Sequence, residues 1–161
     1  MRWTITSSGE PFHPTQAAPR FVIASPSLAF QSVSKLFVAR PAGKAGLRLE
    51  TIKSREQQPW FDPAGFLLHE RGGRLAGFCW TKVHAEDAPP VGEIYVIAVD
   101  PDFQGLGLGR SLCLAGLDAL AHHGLTVGML YVDGENAPAL ALYRDLGFDV
   151  NHIDRAYVGD F

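Results

Sequence analysis

Cysteine is scarce in this sequence: Cys79 and Cys113 are the two it holds, and each sits inside an apolar run. That setting predicts buried free thiols in preference to a disulfide. No grouping of Cys and His has the spacing of a metal site, so no metal is expected. Long apolar runs are also missing; none reaches the ~18 residues that a membrane-spanning helix needs. The first residues lack the charged start and apolar stretch of a secretory signal. Together these absences lead to the expectation of a cytoplasmic protein with no membrane partner.

What is present is ordinary in bulk. Apolar residues make up 47% and charged residues 19% of 161 positions, enough for one domain with a sizeable core. The net charge of −3 conceals an asymmetry: residues 1–50 hold six Lys/Arg against two acids, residues 51–161 eight against fifteen. The basic N-terminal part has no aromatic interleaving and no recognition motif, so no nucleic-acid partner is expected.

Two parts of the chain differ in texture. Residues 1–48 carry Pro11, Pro14, Pro19, Pro26 and Pro41 with much Ser and Ala, and no sustained period. They read as a loosely attached arm. Phe21–Ala24 and Val33–Ala39 are short apolar patches compatible with strand or marginal helix. From Glu50 the signals sharpen. Glu50–Gln58 suits a helix stopped by Pro59. Gly65–Glu70 and Leu75–Val83 read as strands joined by the turn Arg71-Gly72-Gly73-Arg74. Glu93–Asp100 is a β-branched and aromatic run closed by Pro101, hence a buried strand. Gly107–His123 has helical spacing and stops at Gly124. Val127–Val132 is another strand. Ala137–Leu146 is a helix with Asn136 as N-cap, Pro138 in its first turn and Gly147 as its stop. Phe148–Ile153 and Arg155–Val158 complete a mixed α/β sheet.

The most informative segment is the strand-to-helix junction Val99-Asp100-Pro101-Asp102-Phe103-Gln104-Gly105-Leu106-Gly107-Leu108-Gly109-Arg110. A helix N-terminus leaves backbone N–H groups unpaired and carries about half a positive charge. Alternate glycines let those amides approach a diphosphate without obstruction by a Cβ. Glycines alone fit a plain connector equally well. Two other phosphate cradles are excluded. Gly109-Arg110-Ser111 lacks the lysine of a P-loop. The Gly-x-Gly-x-Gly spacing, with no acid about twenty residues on, does not match a dinucleotide fingerprint.

The fuller pattern Gln-x-x-Gly-x-Gly, formed by Gln104, Gly107 and Gly109, resembles the acetyl-CoA loop of the GCN5-related N-acetyltransferase (GNAT) superfamily. The preceding Ile97–Pro101 and the later Asn136-x-x-Ala139-x-x-Leu142-Tyr143-x-x-Leu146-Gly147-Phe148 have that superfamily's form as well. Pro59–Phe66, Gly77–His84, Gly92–Pro101 and Leu130–Asn136 are similar to the C-terminal domain of the mycothiol synthase family. That family acetylates the cysteinyl amine of cysteinyl-glucosaminyl-inositol.

The resemblance implies a single GNAT-like α/β domain over residues 49–161, its mixed, mostly antiparallel sheet flanked by helices, after a divergent segment 1–48. The family pairs two such domains, and the resemblance covers the second. Where the family carries a substrate-binding acid, Arg40–Gly46 has none.

The resemblance also implies roles. Acetyl-CoA would be held by backbone groups of Ile97, Ala98 and Val99. Gln104, Gly105, Leu106, Gly107, Leu108, Gly109 and Arg110 would meet the pyrophosphate, and Asn136, Ala137, Pro138, Ala139, Leu140 and Ala141 the pantetheine or sulfur end. Glu93 would be the general base, its plain alternative a strand-end carboxylate. Tyr143 would protonate the leaving thiolate, its alternative a core anchor. Lys82 and Tyr131 would contact the acceptor together with Glu93, their alternatives a solvated lysine and a core tyrosine. His84 reads as a loop histidine. The function implied is acetyl transfer to a small-molecule amine. Acetylation of another small amine or a protein N-terminus, and a non-catalytic acetyl-CoA-binding remnant, are the alternatives. A lone domain could dimerise to cover an exposed face.

Overall fold

The computed structural model describes residues 1–6, 22–23 and 49–153. In chain order these form β1 (Arg2–Thr6), β2 (Val22–Ile23), α1 (Leu49–Glu56), β3 (Phe66–Arg71), β4 (Arg74–His84), β5 (Val91–Val99), α2 (Leu108–His122), β6 (Val127–Tyr131), α3 (Ala137–Asp145) and β7 (Asp149–His152). The seven strands make one sheet in the order β2-β3-β4-β5-β6-β1-β7. β5 and β6 run parallel, and the other pairings are antiparallel. This is the mixed, mostly antiparallel sheet that the sequence leads one to expect.

Local chemistry explains most of the element boundaries. The β3–β4 hairpin turns at Gly72 and Gly73, with φ of 59° and 73°. Both central residues of such a two-residue turn need positive φ, which glycine adopts at no steric cost. Asp62 opens the short turn Pro63–Gly65 by accepting the N–H of Ala64 at 2.9 Å. At the start of α3 the Asn136 side chain accepts the N–H of Ala139 at 3.3 Å, with Pro138 in the first turn. Gly124 and Gly147, both at positive φ, follow the ends of α2 and α3. The expected strand Arg155–Val158 and the patch Val33–Ala39 lie outside the described residues.

Periodicity predicts no strand at Arg2–Thr6, yet β1 pairs there with β6 on one side and β7 on the other. A five-residue strand whose two flanks are supplied by distant segments leaves little trace in its own sequence.

The sheet carries apolar packing on both faces. On one, α2 and α3 bury Leu112, Cys113, Leu117, Leu120, Leu140 and Tyr143 against Cys79, Ile94 and Leu130. On the other, Ile52 of α1 packs with Phe66, Leu68, Phe78 and Trp80, and with the rings of Trp60, Phe61 and Tyr95. Strand alternation performs this division: Cys79 faces α2 while Phe78 and Trp80 face α1. Among the described residues, no helix is long and apolar enough to cross a membrane.

Leu112 is fully buried in the first turns of α2 and belongs to the cluster that holds this helix on the sheet. Leu112→Ala is expected to lower unfolding free energy by about 2–5 kcal/mol, the range for a buried leucine truncated with little collapse of the cavity. Urea denaturation measures this, and a midpoint unchanged from wild type would contradict the packing described.

Candidate active site

The site begins with a fault in the sheet. β4 and β5 pair as Trp80↔Val96 and then Thr81↔Ile94, so Tyr95 is an extra residue that breaks the register. Such a bulge bends the strand that carries it. On its other side β5 pairs with β6 only at Gly92↔Gly128, Glu93↔Met129 and Ile94↔Leu130. From Tyr95 to Val99, β5 has no strand partner on that side among the described residues. The two parallel strands thus part at Ile94, and a notch opens in the middle of the sheet. Residues 95–99 are only partly buried, in contrast to Gly92, Glu93 and Ile94. Ile97, Ala98 and Val99 line this stretch, as the sequence places them.

At the end of β5 the chain is held tightly before it reaches the glycines. Asp100 donates its backbone N–H to the Ala76 carbonyl at 2.9 Å, and its side chain accepts the N–H of Asp102 at 2.9 Å. The Arg74 guanidinium bonds Asp102 at 2.8 Å and lies 5.1 Å above the Phe103 ring. Beyond Gln104 the backbone opens out. Gly105 and Gly107 have φ of 76° and 74°, and a Cβ built on either meets nothing within 4 Å. Gly107 is the N-cap of α2 and has no side chain to cap it. The first N–H groups of α2 therefore receive no side-chain cap from Gly107, at the positive end of a fifteen-residue helix dipole. Gln104 and Arg110 are exposed there, while the Leu108 side chain turns into the core. A Cβ at Gly109 would touch Leu142 of α3 at 3.4 Å, so the starts of α2 and α3 lie close together. Ala137, Pro138 and Ala141 are exposed at the start of α3, whereas Leu140 belongs to the core.

Glu93 and its neighbours occupy the α1 side of the sheet. Ile94 faces Gly116 of α2, so Glu93, one residue earlier, points to the opposite face. Glu93 is buried, and its register partner across β4 is Lys82. The Lys82 ammonium lies 5.0 Å above the Trp60 ring, an attraction between cation and ring quadrupole. Tyr131 is two residues beyond Met129, the β6 partner of Glu93, and so shares its face; it is exposed. Strand geometry therefore gathers Lys82, Glu93 and Tyr131 around the point where β5 and β6 separate.

Tyr143 lies instead in the α2–α3 cluster. It is almost fully buried, with its ring 5.8 Å from that of Phe148. Burial pushes its hydroxyl well above the ordinary tyrosine range, with the nearby Cys113 and Cys79 adding to the effect. Its hydroxyl therefore stays protonated at neutral pH.

His84 is not a loop residue. β4 continues to it, with His84↔Val91 still in register, so its ring falls on the face of Lys82. From there His84 Nε2 reaches Glu93 Oε2 at 2.8 Å. Its alternation with Trp80 and Lys82, opposite a strand beginning at Val91, is the signal in the sequence that marks it. No group of three or more potential metal-binding side chains occurs among the described residues.

Comparison with known proteins places these features in context. The acetyltransferase (GNAT) family pattern matches residues 36–148. Mycothiol acetyltransferase of Thermomonospora curvata is 56% identical over 109 residues, which cover 68% of this chain and 36% of that protein. The Streptomyces coelicolor protein of the same name is 44% identical over 137 residues, 85% of this chain and 44% of its own length. The chain thus spans less than half the length of these curated relatives. Among solved structures, a GCN5-related N-acetyltransferase from Sphaerobacter thermophilus superposes with a TM-score of 0.75 at 24% identity, over 94% of this chain and 48% of that one. Ard1 from Thermoplasma volcanium gives 0.69 at 20% identity, over 84% and 86%. These two likenesses concern the fold.

The thiols in the Tyr143 cluster supply a direct check on its interior. Burial pushes Cys113 up to about 12, partly offset by Arg110, and pushes Cys79 well above its usual range, with Cys113 adding to the shift. Neither forms a thiolate at neutral pH. An aromatic disulfide reagent at pH 8 is expected to modify neither thiol in the native protein and both in guanidinium; rapid native labelling would contradict the buried cluster. An unfolded thiol titrates near ~8.5, so the folded form keeps its protons to higher pH. The contribution to stability is full below that value and is lost as pH rises toward the folded pKa.

Proposed function

The chain belongs to the acetyltransferase (GNAT) family, and from that membership we propose that it moves acetyl from acetyl-CoA to the cysteinyl amine of a small thiol precursor of the cysteinyl-glucosaminyl-inositol type. One observation carries this reading: a single strand, β5, presents a buried carboxylate, an unpaired backbone edge and an uncapped helix N-terminus in succession. A base, a groove for an extended chain and an anion cradle in that order suit a nucleotide-linked thioester and an amine meeting between them. The likeness to mycothiol acetyltransferases over residues that include Trp80–His84 and Gly92–Pro101 supports the choice of acceptor.

GNAT acetyltransferases use acetyl-CoA, which supplies an acyl carbon already activated as a thioester. The residues present fit it. Backbone amides from Gln104 to Arg110 would hold the diphosphate, with glycines at 105 and 107 keeping side chains out of the way. Ile97, Ala98 and Val99 would run beside the pantetheine as a partner strand does. The turn from Asn136 to Ala141 would meet its sulfur end.

The chain's remaining task is to move protons. Glu93 takes the proton from the amine, directly or through one water, so that the nitrogen lone pair can attack. Tyr143 gives a proton to the departing sulfur, a role consistent with a hydroxyl that burial keeps protonated. Lys82 and Tyr131 border the acceptor. Both cysteines are protonated and buried, so neither serves as an acyl carrier, and acetyl passes directly between the two substrates in this reading.

Thiol release from acetyl-CoA, measured with cysteinyl-glucosaminyl-inositol and with unrelated amines, tests the proposal. The thiol precursor is expected to be the preferred acceptor. Glu93→Gln should lose on the order of 10²–10⁴-fold in turnover, the usual contribution of a positioned base, with coenzyme affinity retained. Turnover of other amines alone would refute the acceptor, and an unchanged rate in Glu93→Gln would refute the base.

A further inference from the structure

We propose that His84 is a positioning residue that acts through Glu93, fixing the orientation of its carboxylate; this rests on the acetyl-transfer reading above. The geometry is specific. His84 Nε2 lies 2.8 Å from Glu93 Oε2, and both side chains are largely buried, at 16% and 8% exposure. Oε2 is the carboxylate oxygen in this bond; Oε1 has no hydrogen-bond partner among the described residues. An imidazole N–H donating to one oxygen therefore fixes the carboxyl plane and leaves the other oxygen free for an amine or a bridging water.

Among the described residues, no other side chain hydrogen-bonds the Glu93 carboxylate. Lys82, directly across β4, has its ammonium over the Trp60 ring. Tyr95, the bulged residue two positions on, packs edge-on against Trp60 and Trp80, with the Arg55 guanidinium 5.1 Å from its ring. The other imidazole nitrogen, Nδ1, faces the exposed Glu86 at 3.9 Å. A buried carboxylate without a donor would adopt several rotamers, few of them suited to a reacting amine. His84 removes that freedom.

The test is a double-mutant cycle read by steady-state kinetics on the whole chain. His84→Leu, which fills the space without a donor, is expected to reduce kcat on the order of 10-fold to 10²-fold, with KM for acetyl-CoA unchanged. His84→Gln, whose amide can donate to Oε2, is expected to recover most of that loss. In a Glu93→Gln background, His84→Leu should cause no further loss, because the group it positions is already gone. A role in packing alone would give the reverse: Leu tolerated, Gln impaired, and losses that multiply in the double variant. Either of these overturns the proposal. A wild-type chain inert toward every amine would remove the acetyl-transfer reading and this proposal with it, whereas an active wild type with an additive cycle overturns the positioning role alone.

Discussion

The parting of β5 from β6 after Ile94 is the constraint on which the rest of the molecule depends. Backbone N–H and C=O groups in the middle of a sheet are normally paired, and leaving a run of them without partners is costly. Among the described residues, β5 has no strand partner on its β6 side from Tyr95 to Val99, directly before the glycine loop. The bulge at Tyr95 bends β5 away while β4 holds it through Val99 on the other side. Pairing on one edge and vacancy on the other turn an ordinary parallel βαβ unit into a cleft that an extended ligand can complete as a strand would.

The two faces of the sheet then take different tasks. On the α2–α3 side, Leu112, Leu117, Leu120 and Leu130 lock the helix whose N-terminus points at the loop, and they enclose Tyr143. On the α1 side, the aromatic cluster of Trp60, Phe66, Trp80 and Tyr95 makes a stiff floor beside Lys82, His84 and Glu93. Rings packed edge to face resist displacement, so the polar groups above them are held by a wall that moves little. Tyr143 and Glu93 thus belong to opposite faces of the sheet, one within the α2–α3 cluster and the other beside the aromatic floor.

Features with local causes were legible in the sequence. The Gly72-Gly73 turn, the Asn136 cap with Pro138, the stops at Gly124 and Gly147, and the loop from Gln104 to Arg110 each follow from one residue's backbone or capping preference, and each stands where expected. The central strands and helices shift by only one or two residues at their ends. Features that depend on distant partners were not legible. β1 gains its place from β6 and β7, more than a hundred residues away, and a proline-rich surrounding conceals it. The register break at Tyr95 is a property of two strands together. His84 lay one residue beyond a strand end expected at Val83, and that single residue separates a solvated loop histidine from a partner of the buried Glu93.

The central claim is that the unpaired edge of β5 and the amides of the glycine loop form one continuous coenzyme site. Amide hydrogen exchange with and without coenzyme A measures it residue by residue. Protection is predicted to rise together over Ile97–Val99 and Gln104–Arg110, with little change on β3 or at the β3–β4 turn. Binding that protects neither stretch, or protects the loop while leaving Ile97–Val99 exchanging as in the free protein, would contradict it.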